Sequence, residues 1–292
     1  MRFCYAEAMI DPDFYLPLAT AVEEAGYTSM TVADSIAYPE VSDSTYPYTS
    51  DGDRGFLEDK PFVEPFVLTA AMGAVTSTLR FTPFVLKLPI RPPALVAKQA
   101  SSLAALLGGR LSLGVGISPW PEDFDIMGVP FARRGKRMDE CLDILRGLTT
   151  GEYFSYDGEF YTLPKVKMSP APREPIPLLV GGHSEPALRR AVLRGDGWLH
   201  AGSQPEELDL LLARLRSIRE AEGRADRPFE VQVISLDAYT PDGVKRLADR
   251  GITEVIVGFR LPYHRGPDTE PLQVKLDNLR RYADTVIAKV NG

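Results

Sequence analysis

The sequence predicts an α/β protein folded as a (β/α)8 TIM barrel, and three observations lead there. Eight short apolar runs recur along the 292 residues: Arg2–Ala6, Thr28–Val32, Leu79–Leu86, Arg110–Gly116, Ile176–Val180, Gly197–Ala201, Phe229–Ser235 and Ile252–Phe259. Runs with so few polar interruptions suit strands covered on both faces, as in a parallel sheet. Helix-like stretches stand between them, several with an apolar stripe. Prolines open these stretches and glycines close them, the expected asymmetry of helix ends. Eight alternating units favour a closed barrel, with a doubly wound open sheet as the alternative.

The elements follow in order. After the first strand, a helix over Asp13–Ala25 stops at Gly26, a C-terminal glycine signal. The second strand leads into residues 35–64, rich in Tyr, Pro, Asp and Ser. Pro83 falls inside the third strand, where a central proline is disfavoured, so a bulge is expected there. The helix Pro93–Leu107 places Leu95, Gln99, Leu103 and Leu106 on one side and ends in Gly108-Gly109. Beyond the fourth strand lies a glycine loop, with helix expected to resume at about Arg134. After that fourth helix, residues 150–174 contain "YFSYDGEFYTL", a small hairpin around Asp157-Gly158. The helix Pro205–Glu222 carries Leu208, Leu211, Leu212, Leu215 and Ile218 as a stripe, and Pro241–Arg250 and Gln273–Val290 read similarly. One domain is expected over residues 1–292. Segments 35–64 and 150–174 are then insertions, because neither has enough apolar residues for its own core.

Composition narrows the function. The chain is 44% hydrophobic and 25% charged, with 33 basic and 40 acidic residues and a net charge of −7. No dense basic run appears, so nucleic acid and anionic membrane are not expected partners. No stretch reaches the roughly 18 apolar residues of a membrane span. The N-terminal "MRFCYAEAMIDPD" lacks a signal-peptide core, and a cytoplasmic location is expected. Two cysteines, Cys4 and Cys141, make no disulfide framework, and His183, His200 and His264 have no metal-ligand spacing. Both cysteines read as core residues.

Two loops stand out. "GGRLSLGVGISPWPEDFDIMG" has Gly114 and Gly116 at a strand end. It lacks the lysine of a P-loop and the third glycine of a dinucleotide fingerprint, since Pro119 holds that place. Either a flat ligand approaches the backbone there, or the loop is a plain tight turn. In "PLLVGGHSEPALRRAV", a strand ends at Gly181-Gly182 and Ser184 stands at a helix start, where a phosphate could bind. An ordinary βα loop is the alternative. Both loops lie at carboxyl ends of strands, where barrel active sites are built.

"GGRLSLGVGISPWPEDFDIMGVPFARRGKRMDECLDILRGL" resembles the signature region of the luciferase-like monooxygenase superfamily. So do "LPIRPPALVAKQASSLAALLGGR" before it and "PLLVGGHSEPALRRAVLRGDGW" after it, and "VADS" with the following "YP" is closest to its F420-dependent oxidoreductase type. The resemblance implies a (β/α)8 barrel, usually dimeric, with an isoalloxazine-type ring across its mouth. It implies coenzyme F420 as cofactor, with FMN the alternative. Phe84-Val85 matches a non-prolyl cis peptide behind the ring. Gly114, Gly116, Ile117 and Ser118 match the loop beside the ribityl chain. Gly181, Gly182, His183 and Ser184 match the phosphate-side loop, and Asp34 an acid ending the second strand. Arg133, Arg134, Lys136 and Arg137 are a solvated face or an attraction for the anionic cofactor tail.

Two departures limit the carry-over. Many deazaflavin enzymes have Asp-His where this chain has Asp34-Ser35, and the sugar-phosphate branch has Glu where Pro119 stands. The proton donor therefore comes from the residues themselves: His200, which titrates near neutral pH, or Glu7, just past the first strand. Tyr38, Trp120, Arg260 and His264 are the substrate-pocket candidates, with packing or a solvated loop as the alternative for each. The resulting expectation is hydride transfer between F420 and a small organic substrate. The rivals are an FMN-dependent two-component monooxygenase, which needs a reductase partner, and a non-catalytic flavin-binding barrel.

Overall fold

The structure, a computed structural model, describes residues 1–46, 49, 51–261 and 263–292. Its strands in chain order are β1 (Arg2–Tyr5), β2 (Ser29–Val32), β3 (Arg80–Pro83), β4 (Leu86–Lys87), β5 (Leu113–Gly116), β6 (Phe154–Asp157), β7 (Thr162–Val166), β8 (Leu178–Gly181), β9 (Gly197–His200), β10 (Glu230–Ile234) and β11 (Glu254–Val257). Nine of them form one sheet in the order β3-β2-β1-β11-β10-β9-β8-β5-β4. Every pairing in it is parallel. β3 and β4 are two halves of the third expected strand, interrupted at Phe84-Val85. Because β4 pairs with β5 and Phe81 bridges Leu111, the two ends of the order meet. The result is the TIM-barrel architecture expected from the sequence. Its strands are short and buried on both faces, β1, β2, β5, β9 and β11 almost entirely.

The helices are α1 (Tyr15–Glu24), α2 (Pro65–Ala74), α3 (Pro93–Leu106), α4 (Pro121–Ile126), α5 (Arg134–Leu148), α6 (Glu185–Arg194), α7 (Pro205–Ala221), α8 (Pro241–Asp249), α9 (Leu272–Tyr282) and α10 (Ala288–Asn291), with one π turn at Ala283–Ile287. The stripe on α7 is buried as read. The face assigned to α3 is not: Leu95 and Leu106 are exposed, while Val96, Ala97, Ala100, Ser101, Leu103 and Ala104 are buried. Small residues let that helix approach its neighbours closely, so its inner face is marked by size more than by leucine. Helix also resumes earlier than Arg134, at α4, with Pro121 in its first turn and Glu122 and Asp123 beside it.

The described residues of segment 35–64 run irregularly over the mouth, with a 3-10 turn at Gly55–Leu57. They form a second apolar cluster in which Phe56 and Leu57 meet Met9 and Trp120, flanked by Tyr38, Tyr46 and Phe62. β6 and β7 make the expected hairpin, turning where Gly158 N–H donates to the Tyr161 carbonyl at 2.9 Å. Phe154, Tyr156 and Leu163 lean from it onto the main core.

Candidate active site

The third strand shapes the barrel mouth. Pro83 ends β3 opposite Val32, and Phe84 N–H then donates to the Val32 carbonyl at 2.7 Å. The Phe84–Val85 peptide bond is cis. The Val85 side chain lies against the neighbouring strands. A Cβ on Gly116 would meet its Cγ2 at 2.5 Å, one on Gly181 its Cγ1 at 2.9 Å, and one on Gly114 the Pro83 carbonyl oxygen at 2.0 Å. The sequence offered these glycines as room for a flat ligand. In the structure the room beside them is taken by the bulge itself.

Asp34 ends the second barrel strand with its carboxylate buried. It accepts from the Lys87 backbone N–H at 2.8 Å and pairs with both terminal nitrogens of Arg91, at 2.8 and 2.9 Å. Its lone pairs are thus occupied by the strand that carries the bulge. Lys87 reaches Asp123 at 2.8 Å. Asp123 also accepts from the Ser118 hydroxyl, whose oxygen receives the Trp120 backbone N–H at 3.2 Å. Trp120 is therefore held by its own loop, and two cations lie over its ring, Arg54 at 4.2 Å and Lys87 at 4.7 Å. Ile117 packs at the edge of the main core. Arg134 donates to the Ser118 carbonyl at 3.2 Å. Arg137 is not on a solvated face: it is buried and holds the Pro130 carbonyl at 2.7 Å.

Across the mouth, Gly182 turns out of β8 with φ +123°, a conformation that favours glycine. Ser184 stands at the N-cap of α6, and its hydroxyl makes no capping bond, which leaves it open to a ligand. His183 stacks on His200, ring centres 4.7 Å apart and 13° between planes, with Trp198 beside both. Gly202 N–H donates to His200 Nδ1 at 3.3 Å. Ser203 gives its own proton to the Gln204 carbonyl, so its oxygen accepts from His200 Nε2–H at 2.9 Å. Burial, then repulsion from His183, pushes His200 down to about 4. It is a neutral donor at pH 7, fully enclosed. Burial also lowers His183, against the opposing pull of Glu207.

Glu7 and Arg260 meet at 2.9 Å, and Arg260 also holds the Ala8 carbonyl at 2.6 Å. Behind them Lys275, fully buried, contacts Asp268 at 2.7 Å, Glu270 at 3.0 Å and Glu7 at 3.7 Å. Arg260 Nη1 is buried without a hydrogen-bond partner. Glu7 and Arg260 line a cavity of about 260 Å³ whose walls include Ala33, Phe84, Ile234, Ile256 and Tyr239. Tyr239 donates to the Gly258 carbonyl at 2.6 Å, and partial desolvation raises its phenol above the ordinary value. Tyr38 and Trp120 line a separate cavity, with Arg54 and Lys60. His264 is exposed on the loop after β11. Both cysteines are buried, which pushes Cys141 up to about 12 and Cys4 well above its ordinary value. Among the described residues no group of three His, Cys, Asp or Glu is arranged to hold a metal, and no helix is long and apolar enough to cross a membrane.

The sequence model of luciferase-like monooxygenases matches residues 4–270. The chain belongs to that family. An uncharacterised protein of Mycobacterium tuberculosis is 67% identical over 290 residues, covering 99% of this chain and 100% of that one. The F420-dependent glucose-6-phosphate dehydrogenase of Gordonia bronchialis is 29% identical over 253 residues, 83% of this chain and 69% of its own. A monooxygenase from Streptomyces bottropensis superposes with a TM-score of 0.76 over 99% of each chain at 16% identity, and so shares the fold.

The mouth of this luciferase-like barrel fits a ring-and-phosphate cofactor in two respects. The free Ser184 hydroxyl and the Gly182 turn sit at a helix N-terminus, and the apolar cavity carries an unsatisfied guanidinium N–H. Sequence reasoning missed Lys87, Arg91, Arg54, Tyr239 and Lys275. Pro121 in a first turn beside two acids was a signal for α4, and so for Asp123. No helical spacing marks Lys275, because Glu7 lies at the far end of the chain and Asp268 and Glu270 lie in the irregular loop before its helix.

Proposed function

We propose that this protein is an oxidoreductase using a deazaflavin of the coenzyme F420 type, with a small organic substrate in the Glu7–Arg260 cavity. The observation that carries the reading is that cavity: small, mostly apolar, beside the bulge, with one unsatisfied donor at its wall. The likeness to an F420-dependent dehydrogenase over 83% of the chain supports the cofactor. When bound, a deazaflavin supplies two-electron hydride chemistry and reacts poorly with oxygen. Gly182 and Ser184 hold its phosphate, through close backbone approach and the uncapped hydroxyl. Phe84, which lines the cavity, and Val85 beside it would support the ring. Arg260 Nη1–H donates to the substrate's polar group, and Glu7 fixes the guanidinium orientation from the other side. Ala33, Ile234 and Ile256 exclude water from the reacting face. His200 keeps its proton on Nε2 and acts as a neutral hydrogen-bonding group. Sugar phosphate is not the proposed substrate, because Pro119 stands where that branch has Glu.

The test is anaerobic turnover. Reduced and oxidised deazaflavin are offered with a panel of small ketones, enones and alcohols, and the ring absorbance is followed. Turnover that needs no oxygen supports the reading. Substrate oxidation only when reduced FMN and oxygen are supplied overturns it.

A further inference from the structure

We propose that the second cavity at the mouth is an oxyanion subsite, taking the carboxylate or phosphate group of a small molecule. It lies between segment 35–64 and the glycine loop, encloses about 190 Å³ and is lined by Ser35, Tyr38, Arg54, Lys60, Phe62 and Trp120 among others. Two of these are cations, and each is only 7% exposed. Arg54 donates to the Ser42 hydroxyl at 3.0 Å and, more weakly, to Glu122 at 3.5 Å, its ion-pair partner. Its Nε is buried with no hydrogen-bond partner. Lys60 donates to the Gly266 carbonyl at 2.6 Å and pairs with no carboxylate among the described residues. Glu58 also lines the cavity but is exposed to water.

Buried charges are ordinarily paired, because leaving one unpaired is costly. Here two sit in one cavity: Arg54 has one carboxylate partner, Glu122, and a free N–H, and Lys60 has no ion-pair partner among the described residues. Burial lowers the Lys60 amine, and the nearby Arg260 charge lowers it further, against a smaller opposing pull from Asp268. An oxyanion between the two side chains corrects both deficits at once: it accepts from Arg54 Nε and offsets the Lys60 charge. The volume admits a carboxylate or phosphate on a compact body, not a fused three-ring cofactor. The subsite is distinct from the Glu7–Arg260 cavity and does not depend on which ring cofactor is bound.

The test uses the protein alone. Benzoate, benzamide and inorganic phosphate are titrated by calorimetry, with tryptophan fluorescence to locate the site, since Trp120 lines the cavity and Trp198 is fully buried. Benzoate and benzamide share a shape and differ in charge. The expected result is saturable benzoate or phosphate binding, at least tenfold weaker benzamide binding, and a fluorescence change lost in Trp120→Phe. Lys60→Met and Arg54→Met should each weaken anion binding at least tenfold. Equal affinity for benzoate and benzamide in the wild-type protein overturns the proposal, whether or not the variants fold. So does the lack of any saturable anion binding, or unchanged affinity in a folded Lys60→Met protein.

Discussion

Replacing Lys275 by Met should unsettle the mouth more than any single surface change. The ammonium is fully buried and stands within 3.7 Å of three carboxylates, Asp268, Glu270 and Glu7. Methionine keeps the length and volume of the stem and removes only the charge and its donors. Breaking a buried pair by deleting one partner costs about 3–5 kcal/mol. Arg260 stays close to Glu7 and Asp268, so we expect the lower end, about 3 kcal/mol, or a melting-temperature fall of roughly 6–10 °C. The loss should depend on pH. Burial pushes the Asp268 carboxyl up, but Lys275, the Glu270 N–H and Arg260 pull it down further, and the net effect is a lowered value. A carboxylate lowered on folding contributes stability above its unfolded pKa and loses it as pH falls through its folded one. Without Lys275 that contribution shrinks or reverses sign, so the gap between the proteins is full near pH 7 and narrows as pH falls below about 4. Urea denaturation at pH 7.5 and pH 3 measures it. A gap under 1 kcal/mol at pH 7.5, or an equal gap at both pH values, refutes the reasoning.

Gly182→Val forces a branched side chain into φ +123° with its Cβ 2.9 Å from that of Ala187. Cofactor affinity should fall at least tenfold, about 1.4 kcal/mol, by fluorescence titration of the folded variant. Gly116→Ala, whose Cβ would lie 2.5 Å from Val85 Cγ2, should cost about 2 kcal/mol. Adding Val85→Ala should return part of that loss, which a double-mutant cycle in denaturant reads directly. His200 is lowered to about 4 on folding, so it holds fewer protons than the unfolded chain between pH 4 and 6.5, and stability should rise with pH across that window. His200→Gln should flatten the rise and slow turnover while leaving cofactor affinity nearly unchanged; an unaltered stability–pH curve would contradict the burial argument.

The barrel was legible because its strands are short apolar runs buried on both faces, and a doubly buried strand cannot disguise that pattern. The interruption of the third strand was legible from Pro83 alone. The inner face of α3 was not, since Ala97, Ala100 and Ala104 do much of the packing beside Leu103, while Leu95 and Leu106 point outward. The glycines of the fourth and fifth barrel strands drew attention correctly, but their reason is the bulge, the Pro83 carbonyl for Gly114 and Val85 for Gly116 and Gly181, some thirty residues or more away in the chain, which no local motif reveals. The charged interior was the least legible part. Asp34 with Arg91, Lys87 with Asp123, and Glu7 with Arg260 each join distant segments. A lysine such as Lys275 on an amphipathic helix reads as solvated until the loop before it supplies Asp268 and Glu270.

The central claim is the identity of the cofactor, and a side-by-side equilibrium titration of the protein with oxidised deazaflavin F420 and with FMN tests it most directly. The account predicts saturable F420 binding at least tenfold tighter than FMN binding, a difference of about 1.4 kcal/mol. FMN binding tenfold tighter than F420, or no saturable binding of F420, would contradict it.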